Sequence, residues 1–423
     1  MKYIKIFKNK NNEEYVFNGK TLELFLKNNE DEYKDYITEH SNQKINSINT
    51  YKDEYLMKLT FNVSNKCNLC CKYCYASHGN YGNSEGVMNK YTIDKIISDV
   101  KRYGYKRIGI LTLFGGEPTI NFKNIKYIVD KTKKSFLSVD NIELTTNTTL
   151  ITDSMIRFFI DNNIKLVLSV DGPKDITNFL RGKGVFECVE NCINKLKHYN
   201  YNNFEVSATY TKKHLDFGYT YNDIIKFFKD KGILANVSKV IANSNDDLYI
   251  SDAISINEFR KIVKMDLDSI VNNNITIINP YLNRLLDSII FEVKSYGYCD
   301  DVQTNYSLCY DYNGDLFNCF RLWGKNNFKT DIKELISSKL SYINNKTNFN
   351  ICSECWAFYL CKNCIVDLLF GDMDFPIQNG VCKYQKMYEI CMSEFLNILD
   401  IIDLDKFCDN FSKFSRYKGV KYE

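Results

Sequence analysis

Three cysteines on one short stretch carry the clearest chemistry in this sequence. Cys67, Cys71 and Cys74, in CNLCCKYCY, follow the spacing C-x3-C-x2-C. Three thiolates on one loop can cap three corners of a cubic [4Fe–4S] cluster. The fourth iron is then left without a protein ligand, and an open coordination position can take up a substrate or cofactor. Structural zinc and reduced core thiols are the competing readings. Zinc sites usually pair C-x2-C with a second pair or with histidines, and the chain has only four histidines, His40, His78, His198 and His214. Cys70 fits no ligand register and reads as a bystander.

A second cysteine field lies downstream. Cys299, Cys309 and Cys319 precede CSECWAFYLCKNC, which holds Cys352, Cys355, Cys361 and Cys364, and Cys382 follows. Eight thiolates suffice for two complete four-cysteine sets. Structural zinc competes again, because C-x2-C pairs suit it as well. Cys188 and Cys192 stand one helical turn apart but fit the apolar face of a helix, where a free cysteine acts as a small hydrophobe. Cys391 and Cys408 read the same way.

The elements that must hold these groups alternate regularly. LMKLTFNVS runs as an apolar strand into the first cysteine loop, and NKYTIDKIISDVKRYG follows as a helix. Five further strands, RIGILTLFGG, NIELTTN, KLVLSVDGP, FEVSATYT and LANVSKVIA, are separated by helical stretches. Such alternation implies a parallel sheet with right-handed crossovers. The expected fold is therefore α/β: a partial (β/α)6 TIM-like barrel, with functional residues at the C-terminal strand ends. A small N-terminal α+β module precedes it, in which IKIF and EYVFNG read as strands and KTLELFLKNN as a helix. A cysteine-rich domain follows it. The expected boundaries are 1–55, 56–275 and 276–390, with a helix and tail over 391–423. DYNGDLFNC reads as a hairpin turning at Asn313-Gly314.

Motifs fall at the strand ends as the barrel demands. FGGEP places Gly115, Gly116 and Glu117 at the end of the second strand, where glycines permit close backbone approach and Glu117 adds a carboxylate. Asn147 ends the third strand, and Ser169 and Asp171 the fourth. Ligand binding and capping of the following turn are both open to these three. His78, in the loop CYASHGNYGNSEGVM, is a lone loop histidine without a necessary role.

Composition narrows the setting. With 55 basic and 52 acidic residues the net charge is +3, which argues for neither nucleic acid nor a membrane surface as a partner. The chain shows no apolar run of membrane-spanning length and no signal-peptide core, so a cytoplasmic location is expected. Sixteen cysteines without an export signal suggest metal rather than disulfides, in an anaerobic setting.

The first cysteine loop, with Tyr73 before its third cysteine and GGE behind it, resembles the signature of radical S-adenosylmethionine (SAM) enzymes. The second field resembles the SPASM extension of that family, which carries two auxiliary [4Fe–4S] clusters. The resemblance implies that SAM binds the open iron and that Gly115, Gly116 and Glu117 meet its methionyl ammonium. Tyr73, Asn147, Ser169, Asp171 and Arg181 then belong to the cofactor site, Arg181 near the SAM carboxylate. It further implies one auxiliary cluster on Cys299, Cys309, Cys319 and Cys364 and another on Cys352, Cys355, Cys361 and Cys382. Relatives commonly have three residues, not two, before the cysteine at position 364, which leaves that partition open.

The implied activity is reductive SAM cleavage followed by hydrogen abstraction from a peptide, leading to oxidative crosslinking, with a thioether first. The implied partners are a cysteine-rich ribosomally made precursor peptide and an electron donor such as flavodoxin or ferredoxin. Residues 1–55 either dock such a peptide or only pack as a cap. A sulfatase-maturing enzyme that forms formylglycine is the second reading. A non-catalytic iron–sulfur or zinc scaffold is the third. No residue is assigned as catalytic acid or base.

Overall fold

The computed structural model describes residues 3–40, 54–240, 242, 245–250, 252–275, 278–295, 297–299, 307–335, 345–362, 377–378 and 381–415. The chain opens with β1 (Ile4–Lys8), β2 (Glu14–Asn18), β3 (Leu24–Leu26) and α1 (Glu30–His40). It continues through β4 (Tyr55–Ser64), α2 (Lys90–Arg102), β5 (Arg107–Gly115), α3 (Phe122–Ser135), β6 (Ser138–Thr146), α4 (Asp153–Asp161), β7 (Ile164–Ser169), α5 (Lys174–Arg181) and α6 (Val185–His198). Then come β8 (Phe204–Tyr210), α7 (Lys212–Asp216), α8 (Tyr221–Asp230), β9 (Ala235–Lys239), α9 (Asp252–Val271) and α10 (Pro280–Phe291). The rest comprises β10 (Ser307–Tyr310), β11 (Leu316–Phe317), β12 (Lys329–Thr330), α11 (Asn350–Ser353), β13 (Ile377–Gln378), β14 (Val381–Cys382), α12 (Lys383–Leu396) and α13 (Leu404–Phe414).

Two compact units result. One joins Thr50–Ile250 to Asp301–Ser341, and the other gathers Met1–Asn49, Ser251–Asp300 and Tyr342–Glu423.

The first unit is the expected α/β layer structure. Its sheet runs β12-β11-β10-β4-β5-β6-β7-β8-β9, with β4 through β9 parallel. Apolar strand residues such as Leu59, Phe61, Leu111, Leu144 and Leu166 are fully buried, each worth about 1.5–3 kcal/mol over exposure. Side-chain caps start the crossover helices where polar residues precede apolar runs: Asn89 accepts from Thr92 N, and Thr152 from Met155 N. Helix α8 begins with a reciprocal Thr220–Asp223 capping box.

The hairpin read at Asp311–Cys319 is present, with Cys309 opposite Phe317 and Gly314 at φ 89° in the turn. Its strand β10 pairs in parallel with β4, Ser307 opposite Lys58 through Tyr310 opposite Phe61, so the barrel sheet continues beyond its first strand.

The second unit packs the antiparallel sheet β1-β2-β3 with α9, α10, α12 and α13 around one core. Phe7 and Phe17 from the strands meet Val263, Leu285, Leu286, Phe395 and Phe411 there. Residues 24–26, expected within a helix, instead form β3, pairing Leu24 with Phe17 and Leu26 with Tyr15. Edge pairing on β2 outweighs the weak helical period of that stretch. The helix begins at Glu30.

Candidate active site

The first cysteine loop leaves the C-terminal end of β4 and is fastened to its neighbours by backbone. Gly116 N donates to Ser64 O at 2.8 Å and Glu117 N to Lys66 O at 2.9 Å. Lys72 N reaches Leu180 O at 2.9 Å, tying the loop to α5. A Cβ on Gly116 would lie 2.4 Å from Lys66 O and 2.8 Å from Gly79 Cα. The close approach that this glycine permits is to the cysteine loop itself.

Glu117 is buried, and its carboxylate accepts from four protein donors: Thr119 N at 3.0 Å, Thr119 Oγ1 at 2.5 Å, Thr146 Oγ1 at 2.9 Å and Asn147 N at 2.7 Å. Burial raises its pKa, and these donors oppose the rise. The carboxylate thus joins the ends of β5 and β6. Asn147 does two things. Its Oδ1 caps the following turn, accepting from Thr149 N at 3.0 Å, while its Nδ2 donates to Asn68 Oδ1 at 3.0 Å and lies 3.7 Å from Cys67 Sγ.

Tyr73, Asp171 and Arg181 come together in one buried network. Arg181 donates bidentately to Asp171, Nε at 2.8 Å and Nη2 at 2.9 Å. Tyr73 OH donates to Asp171 Oδ2 at 2.7 Å, and Thr209 N to Oδ1 at 2.9 Å. The guanidinium also lies 5.4 Å from the Tyr73 ring centroid. Both Asp171 oxygens therefore accept twice. His214 supports the arrangement from behind: its Nδ1 accepts from Thr211 N at 3.0 Å, so its Nε2–H donates to Asp171 O at 2.9 Å. Ser169 ends β7 half-buried, and its hydroxyl makes no hydrogen bond among the described residues.

Cys67, Cys71 and Cys74 are half-buried, while Cys70 is exposed. Burial pushes the Cys71 thiol up to about 11, Arg181 pulls it down, and Cys74 and Cys67 raise it further. Burial likewise raises Cys67. The three sulfurs thus share one locality, and a positive ion there would take the place of their protons. An all-thiol, partly desolvated donor set fits an iron–sulfur cluster chemically. An aromatic wall stands beside it: Tyr81 donates to Gly115 O at 3.2 Å and packs edge-on to Trp323 at 5.3 Å, and Phe114 lies 4.9 Å from Phe320.

The second cysteine field divides between the units. Cys352, Cys355, Cys361 and Cys382 all lie in the unit that holds the N-terminal sheet, as does Cys299, whereas Cys309 and Cys319 belong to the other. Cys364 lies outside the described residues. Burial pushes Cys361 up to about 12, and the thiols at 382, 355 and 352 each raise it further. The segment Trp356–Leu360 between these cysteines is buried in the unit's core, Trp356 edge-on to Phe7 at 5.1 Å and to Phe17 at 5.9 Å. Among the described residues no three His, Cys, Asp or Glu side chains are arranged to hold a single metal ion. Cys192 and Cys391 are buried, as their apolar helix positions imply.

Sequence reasoning missed several participants. Lys346 is buried in NNKTN, with Nζ donating to Ser295 O at 2.6 Å, Cys361 O at 2.8 Å and Phe358 O. Tyr298 OH lies 2.9 Å from Cys352 Sγ, and Gln385 Nε2 donates to Cys355 Sγ at 2.8 Å. Nothing in their local sequence marks them.

Comparison with known proteins agrees with the geometry. The radical SAM superfamily model matches residues 61–230. The radical SAM cyclopropyl synthase TigE of Paramaledivibacter caminithermalis is 24% identical over 392 residues, 86% of this chain and 79% of that protein. A cysteine-type anaerobic sulfatase-maturating enzyme of Clostridium perfringens is 25% identical over 372 residues, 80% of this chain and 97% of that one. Among solved structures, native anSMEcpe with bound AdoMet and Cp18Cys peptide superposes with a TM-score of 0.66 at 21% identity, covering 82% of this chain and 99% of the other. No helix among the described residues is long and apolar enough to cross a membrane.

Proposed function

Proceeding from a radical SAM enzyme whose domain spans residues 61–230, we propose that this chain oxidatively crosslinks a ribosomally made precursor peptide, with a cysteine thioether as the bond formed. Cys67, Cys71 and Cys74 would hold the SAM-binding [4Fe–4S] cluster, which when bound would supply the electron for reductive SAM cleavage. The observation that carries the reading is the convergence of that loop with Gly115–Glu117, Asn147, Ser169 and the Tyr73–Asp171–Arg181 network at the C-terminal ends of β4 to β7.

The residues divide the work. Ser169 offers its hydroxyl to SAM, and the backbone at Gly115 and Gly116 borders the cofactor. Asp171 is saturated by protein donors, so it and Arg181 fix Tyr73 and the cysteine loop in place. Glu117 holds the ends of β5 and β6 together.

Thioether formation removes two electrons from the peptide. One departs with the hydrogen atom transferred to the deoxyadenosyl radical. The thiol gives up a proton as the carbon–sulfur bond forms, and a cluster on the second cysteine field would supply the one-electron acceptor that the balance requires. The family resemblance implies two such clusters, on Cys299, Cys309, Cys319 and Cys364 and on Cys352, Cys355, Cys361 and Cys382, which would bring the total to three. A flavodoxin- or ferredoxin-type protein delivers the starting electron.

Formylglycine formation on a sulfatase is the second reading, favoured by the similarity to the Clostridium perfringens enzyme over most of both chains. Anaerobic incubation with SAM, reductant and a cysteine-containing precursor peptide separates the two. The expected product has lost about two hydrogens per crosslink and kept its sulfur, as the electron count requires. Turnover of a sulfatase peptide alone, with loss of sulfur from the side chain, overturns the thioether assignment.

A further inference from the structure

The groups around Cys352, Cys355, Cys361 and Cys382 do more than hold a loop together. Lys346 is 1% exposed, and its Nζ meets three carbonyl oxygens, those of Ser295, Phe358 and Cys361. An ammonium has three N–H donors and a neutral amine two, so this acceptor set is matched one to one only by the charged form. The cation also lies 4.8 Å from the Phe358 ring centroid. Two of its three carbonyls belong to the segment that carries Cys361. A buried positive charge is therefore fixed against the cysteine loop.

Donors aimed at sulfur accompany it. Gln385 Nε2 donates to Cys355 Sγ at 2.8 Å, and Ala357 N to the same sulfur at 3.3 Å. Tyr298 OH and Cys352 Sγ are 2.9 Å apart. A metal-bound thiolate has no proton to give, so with a cluster in place the phenol is the donor. The potential of an iron–sulfur cluster responds to nearby charge, to hydrogen bonds on its sulfurs and to exposure. Each electron added to a cluster adds negative charge, so a buried cation and sulfur-directed donors stabilise the reduced form.

We propose that Lys346, with Tyr298 and Gln385, raises the reduction potential of the cluster that Cys352, Cys355, Cys361 and Cys382 would hold. Lys346 is a positioning residue here and touches no substrate. The inference rests on the auxiliary-cluster part of the proposed function.

The test uses full-length, anaerobically reconstituted protein, iron and sulfide analysis, and redox titration followed by electron paramagnetic resonance. Cys355→Ala/Cys361→Ala comes first, because three cysteines alone suffice to hold a cubane. If it removes no iron, no cluster is held there and the cluster reading itself falls. If it removes one cluster, that cluster's signal is identified by its loss. In Lys346→Met the same signal is expected to shift so that the reduced-to-oxidised ratio at a fixed potential falls at least tenfold, 59 mV for a one-electron couple. Tyr298→Phe and Gln385→Leu are expected to move the same signal in the same direction, by less. If Lys346→Met fails to load that cluster, these two variants decide the matter. A loaded Lys346→Met protein with an unchanged potential overturns the inference and leaves the cluster reading standing. So do two unmoved lesser variants where Lys346→Met does not load.

Discussion

At the scale of single residues, the weight falls on Asp171. Its carboxylate receives Arg181, Tyr73 and Thr209 in a buried setting. Asp171→Asn would strand the Arg181 charge, and breaking a buried pair by removing one partner costs about 3–5 kcal/mol. The expected result is a drop of that order in denaturant-unfolding stability, with Asp171→Asn/Arg181→Met recovering part of it. A stability unchanged by Asp171→Asn would show that solvent already screens the pair. The residue types at this site were legible beforehand, because Cys67, Cys71, Cys74 and GGE declare themselves by spacing. The partnership of Asp171 with Arg181 was not, since both could equally be read as facing a ligand. Lys346, Tyr298 and Gln385 were invisible. Their positions beside cysteines arise from tertiary packing among separate segments, which no local pattern encodes.

Elements explain why the glycines are where they are. Strand β5 delivers Gly116 against Lys66 and Gly79, with no room for a side chain. Gly116→Ala should push the cysteine loop away from β5 at a cost of about 1–3 kcal/mol, the usual range for overpacking. Iron analysis is expected to show loss of the SAM-binding cluster with iron at the proposed auxiliary sites kept, and SAM cleavage should fall with it. Retention of all iron and full cleavage would mean that the loop yields without consequence. The six parallel strands were readable from alternation alone, and so was the hairpin at Asn313-Gly314. The addition of β10 to the open edge of β4 was not, because four residues at that distance in sequence carry no sign of their partner. The short strand β3 was misread for a related reason: its partner β2, not its own composition, decides its conformation.

At the scale of the whole molecule, the N-terminal sheet and the segment Cys355–Cys361 share one core. Gly19 sits against the Trp356 carbonyl, where a Cβ would stand 1.7 Å from the oxygen. Gly19→Ala must therefore separate the β2–β3 turn from the segment between Cys355 and Cys361. The expected outcome is faster amide hydrogen exchange in α10 and α12 and unchanged exchange in β4 to β7. Equal exchange in all these elements would refute the shared-core account. The packing of this module on Trp356 gives residues 3–40 a structural part that their sequence left open between docking and capping.

The interleaving of the units has a consequence for synthesis. Residues 50–250 of the radical domain emerge from the ribosome in one run, but the free edge of β4 stays bare until β10 has been made. Residues 3–40 wait longer still, since their core partners Trp356, Phe395 and Phe411 are made much later. Uncovered strand edges and unpartnered apolar faces invite aggregation in nascent chains. This polypeptide should therefore lean on chaperones through most of its translation.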